Sequence, residues 1–459
     1  MSGRGAHRKP CISFLSVFKH EIGQRTNTQL RPIIMQAAAN VFLILIPAIF
    51  ILVVLEAMYA YAKGNFNFRA MDTISSLSAG MTNALKSVLG LTVVIIGYGY
   101  MFTHFALVGR EVNWLTYVLA LLGLDFATYW YHRLAHHVNI FWNRHVIHHS
   151  GEEFNMAAAL RQSVSKFVNI SVFFLLPAAL LGVPPKIIAI VTPFHLFVQV
   201  WYHTIHVGKL GWLEYIIVTP SQHRVHHAIN EIYKDKNLSP VFCIWDRLFG
   251  TFQEELEEEP CVFGVTRQVN TWNPIRINLN HIWLLIRDAW RARSWWDKIR
   301  IWFMPTGWRP ADVNEKFPIQ TADPKHFQKY DTEASGRLKI WSWTQFGMLL
   351  FMLFHLLYSI VDIGSPGIFL YGIFMFLMVY SYTSLMDRDP NAIWMEAAKS
   401  LIGLIIIFQT GSWFGLDAIL PGGSYFIAGY LLLSALVVAH FVRKEIGWNV
   451  QEKASLEDA

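Results

Sequence analysis

Histidines in four short segments between residues 132 and 227 constrain the fold of this chain more than any other feature. Eleven of the nineteen histidines lie there, in HRLAHH (132–137), HVIHH (145–149), HTIH (203–206) and HRVHH (223–227). Two segments repeat the pattern His-x-x-His-His. On a helix, positions i, i+3 and i+4 lie on one face, so we expect each triplet to present its imidazoles in one direction. No single segment could hold a metal alone, so the pattern predicts a site that pools histidines from several helices.

The side chains available in this pattern indicate which metals the site could hold. Imidazoles without thiolates suit iron, zinc or copper rather than magnesium or calcium. The three cysteines, Cys11, Cys243 and Cys261, are isolated and form no Cys-x-x-Cys pair, so neither a thiolate site nor a disulfide framework is indicated. A tetrahedral zinc takes about four ligands, so this many imidazoles predict two ions. A lone His-x-x-x-His would instead suggest histidines at the membrane surface, but the repeated pattern favours metal binding.

Long apolar runs predict an integral membrane protein. The chain of 459 residues is 54% hydrophobic and only 15% charged, where a soluble protein would carry roughly a quarter charged residues. We predict an all-α, polytopic helical membrane protein with about eight or nine spanning segments. A histidine-rich helical cap on the cytoplasmic side is expected to hold the di-metal site. The net charge of +6 is interpreted as basic cytoplasmic loops and contact with lipid headgroups rather than nucleic-acid binding.

The apolar runs also predict the order of segments along the chain. The predicted spans are 33–60, 85–108, 114–131, two hairpin arms at 167–183 and 186–205, and then 341–361, 368–385, 393–408 and 425–442. The predicted domains are a basic tail (1–32), N-terminal transmembrane helices (33–113), a catalytic domain (114–274), an amphipathic interfacial segment rich in tryptophan (275–340), C-terminal transmembrane helices (341–445) and a tail (446–459).

Counting spans gives the expected sidedness. The hairpin and the four final spans place all histidine segments, the long loop 207–339 and the C-terminus on one side, which Arg443 and Lys444 indicate to be cytoplasmic. Counting backwards puts the basic N-terminus outside, against the positive-inside tendency. Either the third predicted span is not a full crossing, or the N-terminus is an exception.

Three charged residues are candidate catalytic residues. Asp125 lies inside an otherwise apolar run, two helical turns before His132, so it is expected to face the protein interior. It could form a helix–helix hydrogen bond or orient a histidine. Arg161 and Arg224, like Lys236, could hold a polar headgroup near the site, or could form salt bridges or interfacial anchors.

The histidine segments resemble those of the fatty acid hydroxylase superfamily, the membrane di-iron oxygenases. The similarity continues through WYHT (201–204), TPSQHRVHH (219–227), DKN (235–237) and IWDRLFGTF (244–252). Within that superfamily, the chain most resembles the alkylglycerol monooxygenase branch. It departs from that branch at His137, where the branch has glutamate, and at Gln222, a position that is often histidine.

The resemblance implies which residues bind iron. The implied ligands are His132, His136, His145, His148, His149, His203, His223, His226 and His227, with His206 and His137 as further candidates.

The resemblance also implies an activity. It implies an O2-dependent lipid monooxygenase with two iron ions that cleaves the ether bond of alkylglycerols to a fatty aldehyde and a glycerol derivative. Tetrahydrobiopterin is the implied electron donor, and because the chain has no Rossmann fingerprint or haem-attachment motif, its electrons must come from outside. We expect an endoplasmic reticulum protein if eukaryotic and an inner-membrane protein if bacterial.

Three alternatives remain open at this point. One is a catalytically dead scaffold, although the full ligand set argues against it. A sterol or fatty-acyl hydroxylase or desaturase would carry the same ligands. A metal transporter could also use histidines, although transporters usually place their ligands in mid-membrane between broken helices.

Overall fold

The structure, a computed structural model, describes residues 27–447. The predicted tails, 1–32 and 446–459, lie almost entirely outside the described residues. The fold is helical, apart from one short parallel strand pair. Five of the described helices are long and apolar enough to cross a membrane: Met35–Ala62, Gly336–Tyr358, Gly367–Met386, Ala392–Thr410 and Gly423–Ile446. The prediction of a polytopic helical membrane protein is therefore confirmed, with fewer full-length spans than expected.

The N-terminal half contains long helices, short helices and the strand pair. In chain order these are α1 (Asn27–Ala62), α2 (Ala70–Val88), β1 (Val93–Val94), α3 (Tyr98–Phe105), α4 (Trp114–His137), α5 (Asn139–Trp142), α6 (Val146–His149), β2 (Val168–Asn169), α7 (Leu176–Leu180) and α8 (Pro185–Val198). A capping box starts α4: the Asn113 side chain accepts from the Thr116 amide at 3.2 Å, and the Asn113 amide donates to the Thr116 hydroxyl at 3.1 Å. This cap fixes the start of the helix that carries the first histidines.

Three of the predicted spans, 85–108 and the two hairpin arms, are not full-length helices. Residues 85–108 do not form one helix, because α2 ends near Gly90, whose φ of +65° suits a helix C-terminus. The following residues pair Val93 with Val168 and then form α3. The hairpin arms are also shorter than predicted: α8 has 14 residues and is about 21 Å long, less than the roughly 30 Å of a bilayer core. The hairpin still returns the chain to the histidines.

The central and C-terminal helices follow. They are α9 (Pro220–His227), α10 (Ile244–Phe249), α11 (Pro274–Arg291), α12 (Trp295–Arg300), α13 (Ala311–Lys316), α14 (Gly336–Tyr358), α15 (Ile360–Ile363), α16 (Gly367–Met386), α17 (Ala392–Thr410) and α18 (Gly423–Phe441). The largest apolar core joins α1 and α2 to the C-terminal helices, and Leu353, Met378 and Leu431 are fully buried in it. The helices that form this core support the segments that carry the histidines.

The histidine segments, the long loop and the end of α18 lie at one end of the molecule. Ser335, which caps α14, donates its hydroxyl to Glu445 at 2.8 Å. Asp387, after α16, accepts from the amide of Trp272 in the long loop at 2.6 Å. The last turns of α1 reach the same end, where Tyr59 contacts the His206 ring. Among residues 27–447, α1 is the sole candidate span ahead of α14, so the described chain starts at the opposite end from the histidines.

Candidate metal centre

Nine histidines converge into two adjacent groups. One nitrogen from each member of a group lies within 4.8 Å of the corresponding nitrogens of the others. The five-histidine group consists of His132, His136, His145, His149 and His226, and the four-histidine group of His148, His203, His223 and His227. These are the nine residues that the resemblance implied as ligands. The structure therefore brings together side chains from α4, α6, α9 and the segment after α8.

Each His-x-x-His-His triplet divides its imidazoles between the two groups. In HVIHH, His145 and His149 belong to the five-histidine group and His148 to the other. In HRVHH, His223 and His227 belong to the four-histidine group and His226 to the five-histidine group. Residues i+3 and i+4 are about 100° apart around a helix, so they diverge when two sites lie side by side. The expectation that each triplet points in one direction is wrong, although the i, i+4 pairs do share a group.

The spacing of the imidazole nitrogens fits a bound cation. The Nε2 atoms of His132 and His145 are 2.8 Å apart, those of His136 and His149 are 3.2 Å apart, and those of His203 and His223 are 2.9 Å apart. Two nitrogens that each lie about 2.1 Å from one ion are ~3.0 Å apart when they subtend a right angle. The residues therefore match the donor set and spacing that a metal ion requires.

In three of the histidines, a hydrogen bond at Nδ1, which faces away from the group, leaves Nε2, which faces the other imidazoles, free to bind metal. His132, His203 and His226 each donate Nδ1–H to a backbone carbonyl, at 2.7 to 3.0 Å. This fixes the tautomer, so that Nε2 carries the lone pair. The Nε2 of His226 is buried and has no hydrogen-bond partner among the described residues. A buried polar atom without a partner is costly, and an ion within the group would satisfy it.

Burial keeps these imidazoles in the neutral, metal-binding form. It lowers the pKa of most cluster histidines well below the ordinary 6.5, namely His145, His148, His149, His223, His226 and His227. Burial likewise lowers the pKa of His203 to about 3. Because metal ligation requires unprotonated imidazole, the folded chain presents the ligands ready for binding at neutral pH.

One loop supplies several of the hydrogen-bond acceptors for the histidine rings, a role that sequence reasoning did not predict. The loop contains Asp235, whose carboxylate accepts from His136 Nδ1 at 3.1 Å, together with the carbonyls that bind His132 and His226. Asp246 holds the loop by accepting from the amides of Leu238 at 2.7 Å and Ser239 at 2.9 Å. The motifs DKN and IWDRLFGTF were signals for these contacts, but their partners are backbone groups that no residue pattern identifies.

Asp125 lies in a buried hydrogen-bond network outside both groups. Its carboxylate accepts four hydrogen bonds: from His195 Nε2 at 2.9 Å, Trp245 Nε1 at 2.8 Å, and the amides of Val241 at 3.1 Å and Phe242 at 3.0 Å. The contact with His195 joins α4 to α8, as the helix–helix alternative predicted.

The same network reaches one of the clustered histidines. The side-chain amide of Gln199 donates to His195 Nδ1 at 3.2 Å, and the backbone carbonyl of Gln199 accepts from His203 Nδ1 at 2.9 Å. Asp125 is therefore linked to His203 through His195 and Gln199 rather than by direct contact.

The two candidate arginines form ion pairs. Arg161 is buried and lies 3.2 Å from a carboxylate oxygen of Asp72. Arg224 is bidentate with Glu255, at 2.7 and 2.6 Å. Both guanidinium groups therefore have carboxylate partners, as the salt-bridge alternative predicted. Their assignment to substrate binding stays a prediction.

The two further candidate ligands lie outside the groups. The side chain of His137 is 42% exposed, and its Nδ1 is 4.0 Å from Asp235. His206 contacts the ring of Tyr59, with centroids 5.3 Å apart. Within the described chain, no ring nitrogen of His137 or His206 joins either histidine group. The geometry therefore does not make these two residues ligands.

Comparisons with known proteins agree with this geometry. The fatty acid hydroxylase family profile matches residues 117–251. The human alkylglycerol monooxygenase is 34% identical over 362 residues, which cover 77% of this chain and 80% of the relative. The Xenopus tropicalis enzyme is 33% identical, covering 78% and 80%. The chain belongs to the alkylglycerol monooxygenase family.

Family membership identifies the chain as a lipid monooxygenase. A more distant relative, ornithine lipid hydroxylase OlsE of Rhizobium tropici, is 29% identical over 33% of this chain. No solved structure matches the chain significantly. Together with the two histidine groups, membership in the alkylglycerol monooxygenase family indicates a metal-binding, iron-type centre. It also removes the metal-transporter alternative.

Asp235→Ala is expected to weaken iron binding or activity by about 10- to 100-fold, because His136 loses the acceptor that fixes its tautomer. Asp235→Asn keeps an oxygen acceptor and should lose less. The matched control is Glu231→Gln, since Glu231 is exposed on the same loop. Iron content after dialysis against a chelator measures the effect. Equal iron retention in Asp235→Ala and the control would show that His136 does not need this carboxylate.

Proposed function

We propose that this enzyme binds two iron ions, one in each histidine group, and cleaves the ether bond of alkylglycerols. The observation that carries the proposal is the division of nine buried imidazoles into two adjacent groups. The rings of His149 and His227, one from each group, stack with centroids 4.4 Å apart. This proximity supports two ions acting on the same substrate. The human and Xenopus tropicalis relatives are alkylglycerol monooxygenases, and their identity and coverage support the substrate assignment.

The chemistry balances with one oxygen molecule and two electrons. Iron supplies O2 activation when bound. Hydroxylation of the carbon next to the ether oxygen inserts one oxygen atom into its C–H bond and reduces the other to water, using two electrons and two protons. The resulting hemiacetal collapses to a fatty aldehyde and a free glycerol hydroxyl. We propose a reduced pterin, tetrahydrobiopterin, as the external electron donor.

The residues of the chain supply ligands, orientation and a dry environment. The histidines are held neutral by burial, and their outer nitrogens are fixed by the loop containing Asp235 and by Gln199. Phe154 packs against the four-histidine group, 5.7 Å from the His203 ring, and helps to exclude water from it. Arg443 and Lys444 at the end of α18 support a cytoplasmic location for this end of the molecule.

A product assay tests the proposed reaction. Detergent-purified protein loaded with Fe(II) is incubated with a fluorescent-tailed alkylglycerol, with and without tetrahydrobiopterin. We expect pterin-dependent release of fatty aldehyde. Protein that contains iron but releases no aldehyde would overturn the alkylglycerol assignment and favour the second candidate, hydroxylation or desaturation of a sterol or fatty-acyl chain. The match to the broader fatty acid hydroxylase family supports that candidate.

A further inference from the structure

A cavity of about 390 Å³ lies beside the five-histidine group. His136, His149 and His226 line one side of it, and Trp142 and Trp308 also contribute to its walls. Cavities that bind small molecules usually range from about 300 to 1,000 Å³ and combine apolar walls with a few polar groups. This cavity can therefore hold part of a substrate within reach of the ligand histidines.

Arg267 gives the cavity an unpaired positive charge. Arg267 lines the wall and is partly buried, and its guanidinium has no hydrogen-bond or ion-pair partner within residues 27–447. Burial, and then the neighbouring Arg287, lower its pKa to about 10, so it remains protonated at neutral pH. Asp288 offsets part of this charge from a distance but is itself paired with Arg309, and a partly buried cation without a direct partner is costly. The wall is therefore suited to an anionic ligand.

The other charged groups in the wall already have partners. Arg309 is bidentate with Asp288, at 2.6 and 3.1 Å. Lys234 pairs with Glu231, and the carboxylate of Asp235 accepts from His136 at 3.1 Å. Arg267 is thus the charge that remains for a ligand. A guanidinium binds phosphate oxygens through paired N–H donors.

The position of the cavity indicates a lipid rather than a soluble anion. One face of α11 lines it through Leu284 and Leu285. The opposite face exposes Trp283 at 58%, Ile286 at 44% and Trp290 at 84%, the kind of aromatic and apolar surface that is enriched at membrane interfaces. The cavity is therefore about one helix diameter, ~10 Å, from a surface suited to lipid headgroups.

We propose that Arg267 binds a phosphate group in the headgroup of the lipid substrate and so determines specificity for phosphorylated glycerol lipids. The headgroup occupies the cavity, and the adjoining carbon of the chain lies at the five-histidine group. This proposal rests on the proposed function, because it assumes that the reacting carbon is close to the headgroup. Arg267 acts on substrate choice and is not required for oxygen chemistry.

A binding experiment without turnover tests the role of Arg267. Iron-loaded full-length protein in detergent is kept anaerobic and without reductant, and two probes are titrated: a short-chain 1-O-alkylglycerol and its 3-phosphate ester. We expect the wild type to bind the phosphate ester at least about tenfold more tightly, the range for a charge-assisted hydrogen bond. Arg267→Gln should lose this preference while binding the neutral probe as before, which shows that it is folded. Arg267→Lys should keep part of it.

The matched control is Arg293→Gln, since Arg293 is an exposed arginine just after α11, the helix that lines the cavity, and does not itself line it. It should retain the full preference. A preference that persists in Arg267→Gln would overturn the proposal. Inorganic phosphate that competes as strongly as the phosphate ester would also overturn the lipid assignment, because the cavity would then be a site for free phosphate.

Binding is measured separately from catalysis, so the two proposals can fail independently. Arg267-dependent binding without aldehyde release in the product assay would overturn ether cleavage and retain this site. Aldehyde release without Arg267-dependent binding would overturn the Arg267 site and retain ether cleavage.

Discussion

His145→Ala is expected to remove the metal from the five-histidine group and to reduce lipid hydroxylation to background, at least ~100-fold below the wild type. His145 is central to that group, because its Nε2 lies 2.8 Å from that of His132 and 3.1 Å from that of His149. Its loss leaves four imidazoles but removes the nitrogen that lies close to both His132 and His149, so we expect the ion to dissociate. The measurement is iron per protein by mass spectrometry, together with turnover under saturating pterin.

Two comparison variants make this result specific. His223→Ala should remove the metal from the four-histidine group, leaving about half the iron and an equally inactive protein, as expected for a two-metal site. His137→Ala should keep the full iron content, because His137 is exposed and outside both groups. Full iron in His145→Ala, or loss of iron in His137→Ala, would contradict the assignment of ligands.

Asp125→Ala is expected to lower the free energy of unfolding by about 3 to 5 kcal/mol, the cost of breaking a buried ion-pair or hydrogen-bond network. Four donors would lose their acceptor at once, two of them backbone amides in the loop before α10. The change also removes the side-chain hydrogen bond between α4 and α8. Thermal unfolding in detergent, followed for wild type and variant at equal iron content, measures the loss.

The same variant separates a structural role from a catalytic one. If Asp125 acts by positioning, the folded, iron-loaded fraction should retain near-normal turnover per iron and lose mainly stability. The matched control is Glu257→Gln, because Glu257 is an exposed acid at the same end of the molecule. It should change neither the turnover per iron nor the stability. A large fall in turnover per iron with unchanged stability would instead support a direct catalytic role for Asp125.

The sequence predicted the site better than it predicted the membrane helices. All nine implied ligands converge, and the i, i+4 pairs His132/His136, His145/His149 and His223/His227 share a group because such residues lie on one helix face. The division of His148 from His149 could not be predicted from one helix, since it depends on a second site lying next to the first. The apolar composition of 85–108 predicts a span. Its glycines allow the backbone to turn at Gly90 instead.

Contacts made by the backbone account for most of what sequence reasoning missed. The carbonyls of Leu238, Lys236 and Gln199 hold three of the histidines, yet any residue type could supply them. Asp125 shows the opposite case. Its charge in an apolar run correctly indicated a buried position, but its partners come from residues 70 to 120 positions away, which local patterns do not reveal.

The most direct test of this account is X-ray diffraction from iron-loaded crystals at wavelengths on either side of the iron absorption edge. We predict two anomalous peaks, one inside each histidine group, with His226 bound in the five-histidine group and His227 in the other. A single peak, or a peak that lies outside the nine imidazoles, would contradict the two-iron centre.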